Sequence, residues 1–358
     1  MSSDPVPLTL PGWGIYKGDG TSHAGLAELP AAPPWRPFAQ GRKPDAPPTL
    51  LEDDSLWAPD KARAQSFVVT PEMRHAVNAA LYLRRPLLLT GKPGTGKSSL
   101  IDSVAYELRM GKVLRWAITS RSTLKSGLYE YDALARLNAG EKAPVGDFVT
   151  LGPLGTALLP RAWPRALLID EIDKSDLDLP NDLLNLFERG EYGIPELTRL
   201  AKRESNPIVN TADGLTEPIP NGTVQCGQFP FVILTSNGER EFPAPFLRRC
   251  IRLKIKDPNV TQLSAIVFSH LQDLESRERE AVMAAVGNFL DRQKGGDLAT
   301  DQLLNAIFMT IDLPGRPRDA KSMTEAERKW LIETLLSHLS ASATPESADS
   351  LEEGEPPS

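Results

Sequence analysis

The chain has 358 residues, of which 41% are hydrophobic and 24% are charged, and its formal net charge is −7. These values indicate a globular protein of two or three domains, and the acidic balance weighs against a nucleic-acid binder. Two distant cysteines argue against a disulfide-rich secreted scaffold. The first residues lack signal-peptide segments and no apolar run reaches membrane-spanning length, so we expect a cytoplasmic protein.

Residues 1–65 form a proline-rich arm that also carries Trp13, Trp35 and Trp57. Proline at this density blocks helices and central strands. Disordered segments are poor in aromatic residues, so we favour an extended arm over a disordered leader. Such an arm would lie on its own domain or on a neighbouring molecule.

Residues 66–257 alternate helical patterns with apolar runs of strand length. A helix is expected after Thr70, the candidate N-cap, with Pro71 in its first turn. Continuous apolar runs between helices are typical of parallel strands buried on both faces, and they predict a layered αβα domain with a five-stranded parallel sheet. The five runs are "PLLLT" (86–90), "KVLRWAIT" (112–119), "RALLID" (165–170), "FPFVILTSN" (229–237) and "CIRLKI" (250–255).

The stretch "GKPGTGKS" follows the first strand and matches the pattern G-x-x-x-x-G-K-[ST]. Its glycines let backbone N–H groups point inward as a nest for phosphate groups, and the helix that follows adds its own free donors. Lys97 would bind the β- and γ-phosphates and the Ser98 hydroxyl would bind Mg²⁺, so we expect an ATP site. The expected ATP-binding residues are Gly91, Lys92, Pro93, Gly94, Thr95, Gly96, Lys97, Ser98 and Ser99.

The third strand ends in the acidic sequence "DEID". Ligands of open α/β sheets bind beyond the carboxyl ends of the strands, so these acids should meet the phosphate loop. Asp170 would hold Mg²⁺, directly or through water, and Glu171 would orient or deprotonate the attacking water. Asp173 and Lys174 could instead be charges that face a neighbouring subunit.

Polar residues also close the fourth strand, and an arginine pair precedes the fifth. Asn237 could be an ordinary turn residue, but we favour a contact with the γ-phosphate or with the water that Glu171 holds. Arginines such as Arg248 and Arg249 are usually surface charges. In a ring, one of them would reach the ATP of the next subunit, and Arg249 is the better aligned candidate, with Arg248 in reserve.

Helical patterns replace the strands after Pro258, so we expect a separate helical domain at 258–340. The tail at 341–358 is acidic and rich in serine and proline, which predicts disorder.

Four segments in this order resemble the AAA+ ATPases of the MoxR-like branch: "RPLLLTGKPGTGKSSL", "LLIDEIDK", "ILTSN" and "PAPFLRRC". The resemblance spans about residues 66–338 and implies a P-loop NTPase fold with a helical lid. It also implies a ring, most often a hexamer, that remodels or activates a protein, often one with a von Willebrand factor A domain. Bacterial defence systems are one setting. The family's inserted hairpin would correspond to 148–159.

One departure concerns the lid, where the superfamily often carries an arginine that senses the γ-phosphate. The expected helix starts with Thr300 and Asp301 instead, while Arg316 and Arg318 lie too late in the chain. Two alternatives stay open beside a remodelling ATPase, and the missing lid arginine supports the second of them. One is a motor or loader stimulated by nucleic acid, and the other is a nucleotide-dependent scaffold with slow turnover.

Overall fold

A computed structural model describes residues 12–36, 38, 58–140, 143–270, 276–293, 298–310 and 324–336. The chain divides into two compact units, 1–270 and 271–358. The residue pattern predicts that the helical part begins earlier, at 258, because the strands stop there. Trp57, Arg316, Arg318 and the acidic tail lie outside the described residues.

Strands and helices alternate through the first unit, and the second unit contains helices in its described part. The strands are β1 (Leu87–Thr90), β2 (Leu114–Ala117), β3 (Tyr129–Tyr131), β4 (Val149–Leu151), β5 (Ala166–Asp170), β6 (Glu191–Gly193), β7 (Ile208–Asn210), β8 (Thr216–Pro218), β9 (Thr223–Gln225), β10 (Phe231–Ser236) and β11 (Ile251–Lys254). The α-helices are α1 (Ala58–Ser66), α2 (Pro71–Leu83), α3 (Leu100–Glu107), α4 (Leu124–Leu128), α5 (Ala133–Ala139), α6 (Pro153–Ala157), α7 (Leu179–Arg189), α8 (Pro195–Thr198), α9 (Ala244–Leu247), α10 (Val260–His270), α11 (Ser276–Gln293), α12 (Thr300–Thr310) and α13 (Glu325–Leu335).

The central sheet has five strands in the order β11-β1-β10-β5-β2, and all neighbouring pairs are parallel. All six residues of β10 are buried, as are the first three of β1 and the first four of β5. Two hydrophobic clusters flank the sheet. The predicted α/β P-loop NTPase fold is therefore confirmed, and the continuous apolar runs reflect burial on both faces of the sheet.

The predicted start of α2 is also confirmed. The side chain of Thr70 accepts a hydrogen bond from the amide of Met73 (3.3 Å), and Pro71 lies in the first turn. The first amides of a helix have no partner within the helix. Thr70 accepts a hydrogen bond from one of them, and Pro71 has no amide hydrogen that needs a partner. Helix α2 leads directly into β1 and the phosphate loop.

A smaller sheet in the order β3-β4-β7-β8 is inserted into this domain. The hairpin expected at 148–159 is wrong, because β4 is a single strand whose antiparallel partner is β3. Pro153 instead starts α6, in which Leu154 is fully buried. A Cβ at Gly152 would lie 2.3 Å from the carbonyl oxygen of Gly127, so this close approach requires glycine. A second hairpin, β7 with β8, was not predicted.

The described part of the N-terminal arm packs on its own domain. Tyr16 is fully buried, its amide donates to the side chain of Asn78 (2.9 Å), and its hydroxyl lies 2.8 Å from that of Ser103. The amide of Gly18 donates to the buried carboxylate of Glu107 (2.9 Å), at the end of α3. The arm is thus attached to the helix that follows the phosphate loop.

The second unit contains α11, α12 and α13 in its described part. Phe289 and Ile307 are fully buried. Helix α13 starts with a capping box, in which Thr324 and Glu327 bond each other's backbone amides. Among the described residues, no helix combines the length and apolar character that a membrane crossing requires.

Candidate active site

The phosphate loop connects β1 to a short 3₁₀ turn at Lys97–Ser99, which continues into α3. Gly96 has a φ of +79°, and a Cβ there would lie 3.1 Å from the ring of Phe67. A Cβ on Gly91 would lie 2.7 Å from the carbonyl oxygen of Ile255. The loop is therefore a close-fitting backbone cradle, which is what phosphate binding by main-chain amides requires.

The other residues of the loop are also tied into it. The Thr95 hydroxyl donates to the Lys92 carbonyl (2.9 Å), and the Ser99 amide donates to the Gly96 carbonyl (3.1 Å). The ammonium group of Lys92 lies 3.2 Å from the carboxylate of Asp257. Pro93 and Gly94 form the turn between these contacts. All nine predicted ATP-binding residues thus lie in one continuous structure.

Lys97 is almost fully buried, and its Nζ donates to the carbonyl oxygens of Gly91 (2.8 Å) and Lys92 (2.7 Å). Burial lowers the pKa of Lys97, and the negative charges of Asp173, Asp170 and Glu171 oppose this shift. The ammonium group is thus desolvated and aimed at oxygen acceptors within the loop. Phosphate oxygens are acceptors of the same kind with more negative charge.

Ser98 and Asp170 meet at the carboxyl edge of the central sheet. The Ser98 hydroxyl donates to Oδ1 of Asp170 (2.7 Å), and the Thr235 hydroxyl donates to the same oxygen (2.5 Å). A hydroxyl and a carboxylate are hard oxygen donors, which suit Mg²⁺. Among the described residues, no group of three or more His, Cys, Asp or Glu side chains forms a metal site. Mg²⁺ keeps several waters, so this smaller donor set still fits it.

Thr235 was missed in the sequence, although it lies in the same polar strand end as Asn237. Besides its bond to Asp170, its oxygen accepts the backbone amide of Glu171 (2.9 Å). One hydroxyl at the end of β10 therefore links both acidic residues of β5. The polar pair "TS" after a continuous apolar run was the available signal.

Glu171 follows β5 in the left-handed backbone region, with φ +59° and ψ +48°. Its carboxylate accepts a hydrogen bond from Nζ of Lys174 (2.7 Å). This bond raises the pKa of Lys174. Such a backbone conformation is uncommon for a residue with a Cβ and is often found at functional sites. The partner of Lys174 is thus within the chain.

Asp173 does not face a neighbouring subunit, because it is only 3% exposed. Its Oδ2 accepts the backbone amides of Asn237 (2.9 Å) and Glu239 (3.2 Å). Its Oδ1 is buried without a hydrogen-bond partner among the described residues. Asp173 therefore joins the turn after β5 to the loop after β10, and the expectation of an outward charge is wrong for this residue.

Asn237 lies directly after β10, and β10 is the strand between β1 and β5 in the sheet. The adjoining carbonyl of Ser236 accepts the amide of Gly91 (3.3 Å), which ties this strand end to the phosphate loop. The structure thus brings Asn237 to the same edge as Lys97 and Glu171, and its main chain is held by Asp173.

Arg248 and Arg249 lie at the opposite edge of the sheet, where the parallel strands begin, which we call the amino edge. They precede β11, whose first residue, Ile251, pairs with Leu87 at the start of β1. The carbonyl of Arg248 accepts Nη1 of Arg85 (2.6 Å), and Nε of Arg249 donates to Oε1 of Glu188 (2.7 Å). Strand β1 has four residues, so about 13 Å of sheet separates this edge from the phosphate loop.

Residues 86–250 match the family model of the AAA domain, dynein-related subfamily. No curated protein shows significant similarity to the chain. The matched region runs from the start of β1 to the residue before β11, so it includes the phosphate loop, the acidic strand end, Asn237 and the arginine pair. The match covers less than half of the chain, and together with the five-stranded parallel sheet it supports an AAA+ ATPase.

Proposed function

We propose that the chain is a MoxR-like AAA+ ATPase that hydrolyses ATP between the subunits of a ring and thereby remodels or activates a partner protein in the cytoplasm. The observation that carries this proposal is the hydrogen bond of the Ser98 hydroxyl to Oδ1 of Asp170 (2.7 Å). It joins a phosphate loop to a carboxylate at the edge of the sheet, which is the arrangement that a Mg-nucleotide site needs. MoxR proteins belong to the dynein-related group whose model the chain matches.

The chemistry assigned to these residues is the transfer of the γ-phosphoryl group to water. Loop amides and Lys97 bind the phosphates, and Ser98 and Asp170 would hold Mg²⁺, which supplies charge neutralisation. Glu171 orients the water and accepts its proton while the water oxygen bonds to the γ-phosphorus and the bond to the ADP oxygen breaks. Asn237 contacts that water or the γ-phosphate from the loop that Asp173 holds.

Arg249 supports a composite site. It lies at the amino edge of the sheet, about 13 Å from its own phosphate loop, so we infer that it acts on the nucleotide of another chain rather than on its own. An arginine supplied in this way stabilises charge on the transferred phosphoryl group. This geometry favours a ring, and the resemblance to MoxR-like proteins favours a hexamer.

A protein partner is favoured over nucleic acid because the net charge is −7. Helix α5, which connects β3 to β4 of the inserted sheet, offers a surface for it, since Leu134 and Leu137 are 76% and 77% exposed. A protein with a von Willebrand factor A domain is the partner class that the resemblance implies, and a bacterial defence system is one setting.

A slow-turnover nucleotide switch is the second candidate. The observation in its favour is the bond that Lys174 makes to Glu171 (2.7 Å), which restrains the proposed catalytic carboxylate. In addition, α12 begins with Thr300 and Asp301 and no arginine. If the chain is such a switch, Lys174→Ala should raise ATP turnover, because it removes the bond that restrains Glu171.

Calorimetry with Mg-ATP and a phosphate-release assay test the proposal. We expect the wild-type chain to bind and hydrolyse ATP, and Lys97→Ala to weaken binding by about 10- to 100-fold or more, because charge-assisted bonds to phosphate are lost. The matched control is Lys112→Ala, which removes an exposed lysine. No heat of binding by the wild-type chain would refute the proposal. Stimulation by DNA that disappears at high salt would favour the nucleic-acid alternative.

A further inference from the structure

Glu188, in the last turn of α7, bonds two arginines that are far apart in sequence. Its Oε1 accepts Nε of Arg249 (2.7 Å), and its Oε2 lies 3.5 Å from Nη1 of Arg36. Arg36 belongs to the N-terminal arm, and Arg249 closes the short turn after α9. One carboxylate therefore connects the arm to the arginine that is proposed to act on the neighbouring ATP.

Arg36 is fixed by its surroundings rather than by Glu188 alone. It is 5% exposed, and its Nη2 donates to the carbonyl oxygen of Phe187 (2.9 Å). Its guanidinium carbon lies 5.2 Å from the ring centroid of Phe38 and 5.4 Å from that of Phe229. Burial lowers the pKa of Arg36, and the charge of Glu188 opposes the shift. A buried cation of this kind needs its anionic partner, which holds the Glu188 carboxylate near it.

Arg249 is held at two nitrogen atoms and remains accessible. Its Nη1 donates to the carbonyl oxygen of Pro245 (3.2 Å), in addition to the bond from Nε to Glu188. Its side chain is 30% exposed. An arginine has five N–H donors in a planar fork, so two anchored nitrogens leave further donors for a phosphate.

Resting on the proposed function, we propose that Glu188 is a positioning residue for Arg249 and that Arg36 sets the position of Glu188. A free arginine side chain samples many rotamers, and ordering it at the moment of reaction would cost free energy. Donors that are aligned beforehand avoid this cost. The pair is partly exposed, so it adds little to stability, and its value lies in the orientation of the guanidinium.

The steady-state rate and the ATP dissociation constant of Glu188→Ala test the inference. We expect kcat to fall by about 10- to 100-fold with unchanged ATP affinity, because misplacing a catalytic group by about 1 Å costs rate and not ground-state binding. Glu188→Gln keeps an oxygen that accepts from Nε but loses the charge that faces Arg36, so its rate should lie between those of the wild-type chain and Glu188→Ala. Glu130→Ala, which removes an exposed glutamate of β3, is the matched control. Arg36→Lys keeps the charge but loses the fork, and should show a smaller fall than Glu188→Ala.

A double variant distinguishes positioning from general damage. If Glu188 acts through Arg249, then Glu188→Ala combined with Arg249→Ala will be no slower than Arg249→Ala alone. If Arg249→Ala impairs hydrolysis but Glu188→Ala does not, or if the two losses multiply, the inference is overturned while the proposed function stands. If the wild-type chain does not hydrolyse ATP, or Arg249→Ala leaves the rate unchanged, the proposed role of Arg249 fails and the inference fails with it.

Discussion

The two edges of the central sheet differ in what they contain. At the carboxyl edge, the phosphate loop, Asp170, Thr235 and the loop that carries Asn237 are joined by direct hydrogen bonds within one chain. At the amino edge, Arg249 is bonded to Glu188 and Pro245, and the described residues place the phosphate loop at the other edge. Under the proposed function, the first edge binds the subunit's own nucleotide, and the second holds an oriented cation that acts on the nucleotide of another chain.

This difference separates the residues proposed to bind the subunit's own nucleotide from the arginine proposed to act on that of a neighbour. Under the proposed function, nucleotide binding depends on the carboxyl edge and should survive changes at the other edge, whereas turnover should depend on both edges. Binding and turnover are therefore the two measurements that separate them, and each variant below is expected to change one more than the other.

The largest effect is expected for Arg249→Ala. Loss of an arginine that stabilises the transferred phosphoryl group lowers kcat by about 10³- to 10⁵-fold where such arginines act. ATP affinity should stay within a small factor of the wild-type value, because the carboxyl edge is intact. Phosphate release and calorimetry measure the two quantities. Equal loss of binding and turnover would contradict the separation of the edges.

Glu171→Gln should have the next largest effect. The amide cannot accept the proton of the attacking water, and a general base contributes about 10²- to 10⁴-fold. In the described part of the chain, Glu171 is bonded to Thr235 and Lys174 and not to the phosphate loop, so nucleotide binding should persist and an ATP-bound assembly should accumulate. Size-exclusion chromatography with Mg-ATP detects that assembly. Wild-type turnover in this variant would remove Glu171 from the mechanism.

Asp173→Ala should lower kcat by about tenfold, because the main chain of Asn237 and Glu239 loses its buried acceptor. A second measurement separates this role from simple destabilisation. Asp173 opposes the lowering of the Lys97 pKa, so in Asp173→Asn that pKa falls further. Lys97 then loses its proton at a lower pH, and ATP affinity should decline earlier as the pH rises. If calorimetry shows the same decline of ATP affinity at alkaline pH in Asp173→Asn as in the wild-type chain, the proposed coupling between Asp173 and Lys97 is contradicted.

The candidate residues of both edges were largely predictable from the sequence, and the contacts that hold Asn237 and Arg249 in place were not. Continuous apolar runs and the glycine spacing depend on residues close in sequence, so they predict β1, β5, β10 and the loop that ends at Lys97. The bonds of Asp173 and Glu188 join residues about 60 or more positions apart, which no local pattern contains. The predicted hairpin at 148–159 was wrong for a related reason. The antiparallel partner of β4 is β3, which precedes α5 in the chain and lies outside the predicted segment.

Arg248→Ala should have the smallest effect, below about threefold in kcat, and it sharpens the comparison between the two adjacent arginines. The side chain of Arg248 is exposed, and its contact with Arg85 uses the backbone carbonyl, which alanine keeps. Of the two, Arg249 is the one whose guanidinium is bonded to described residues of its own chain. Substitutions of isolated surface charges away from such contacts change little. If Arg248→Ala instead shows the large loss and Arg249→Ala does not, the arginine that acts in the neighbouring site is Arg248, and the orientation of Arg249 by Glu188 serves only the fold of its own subunit.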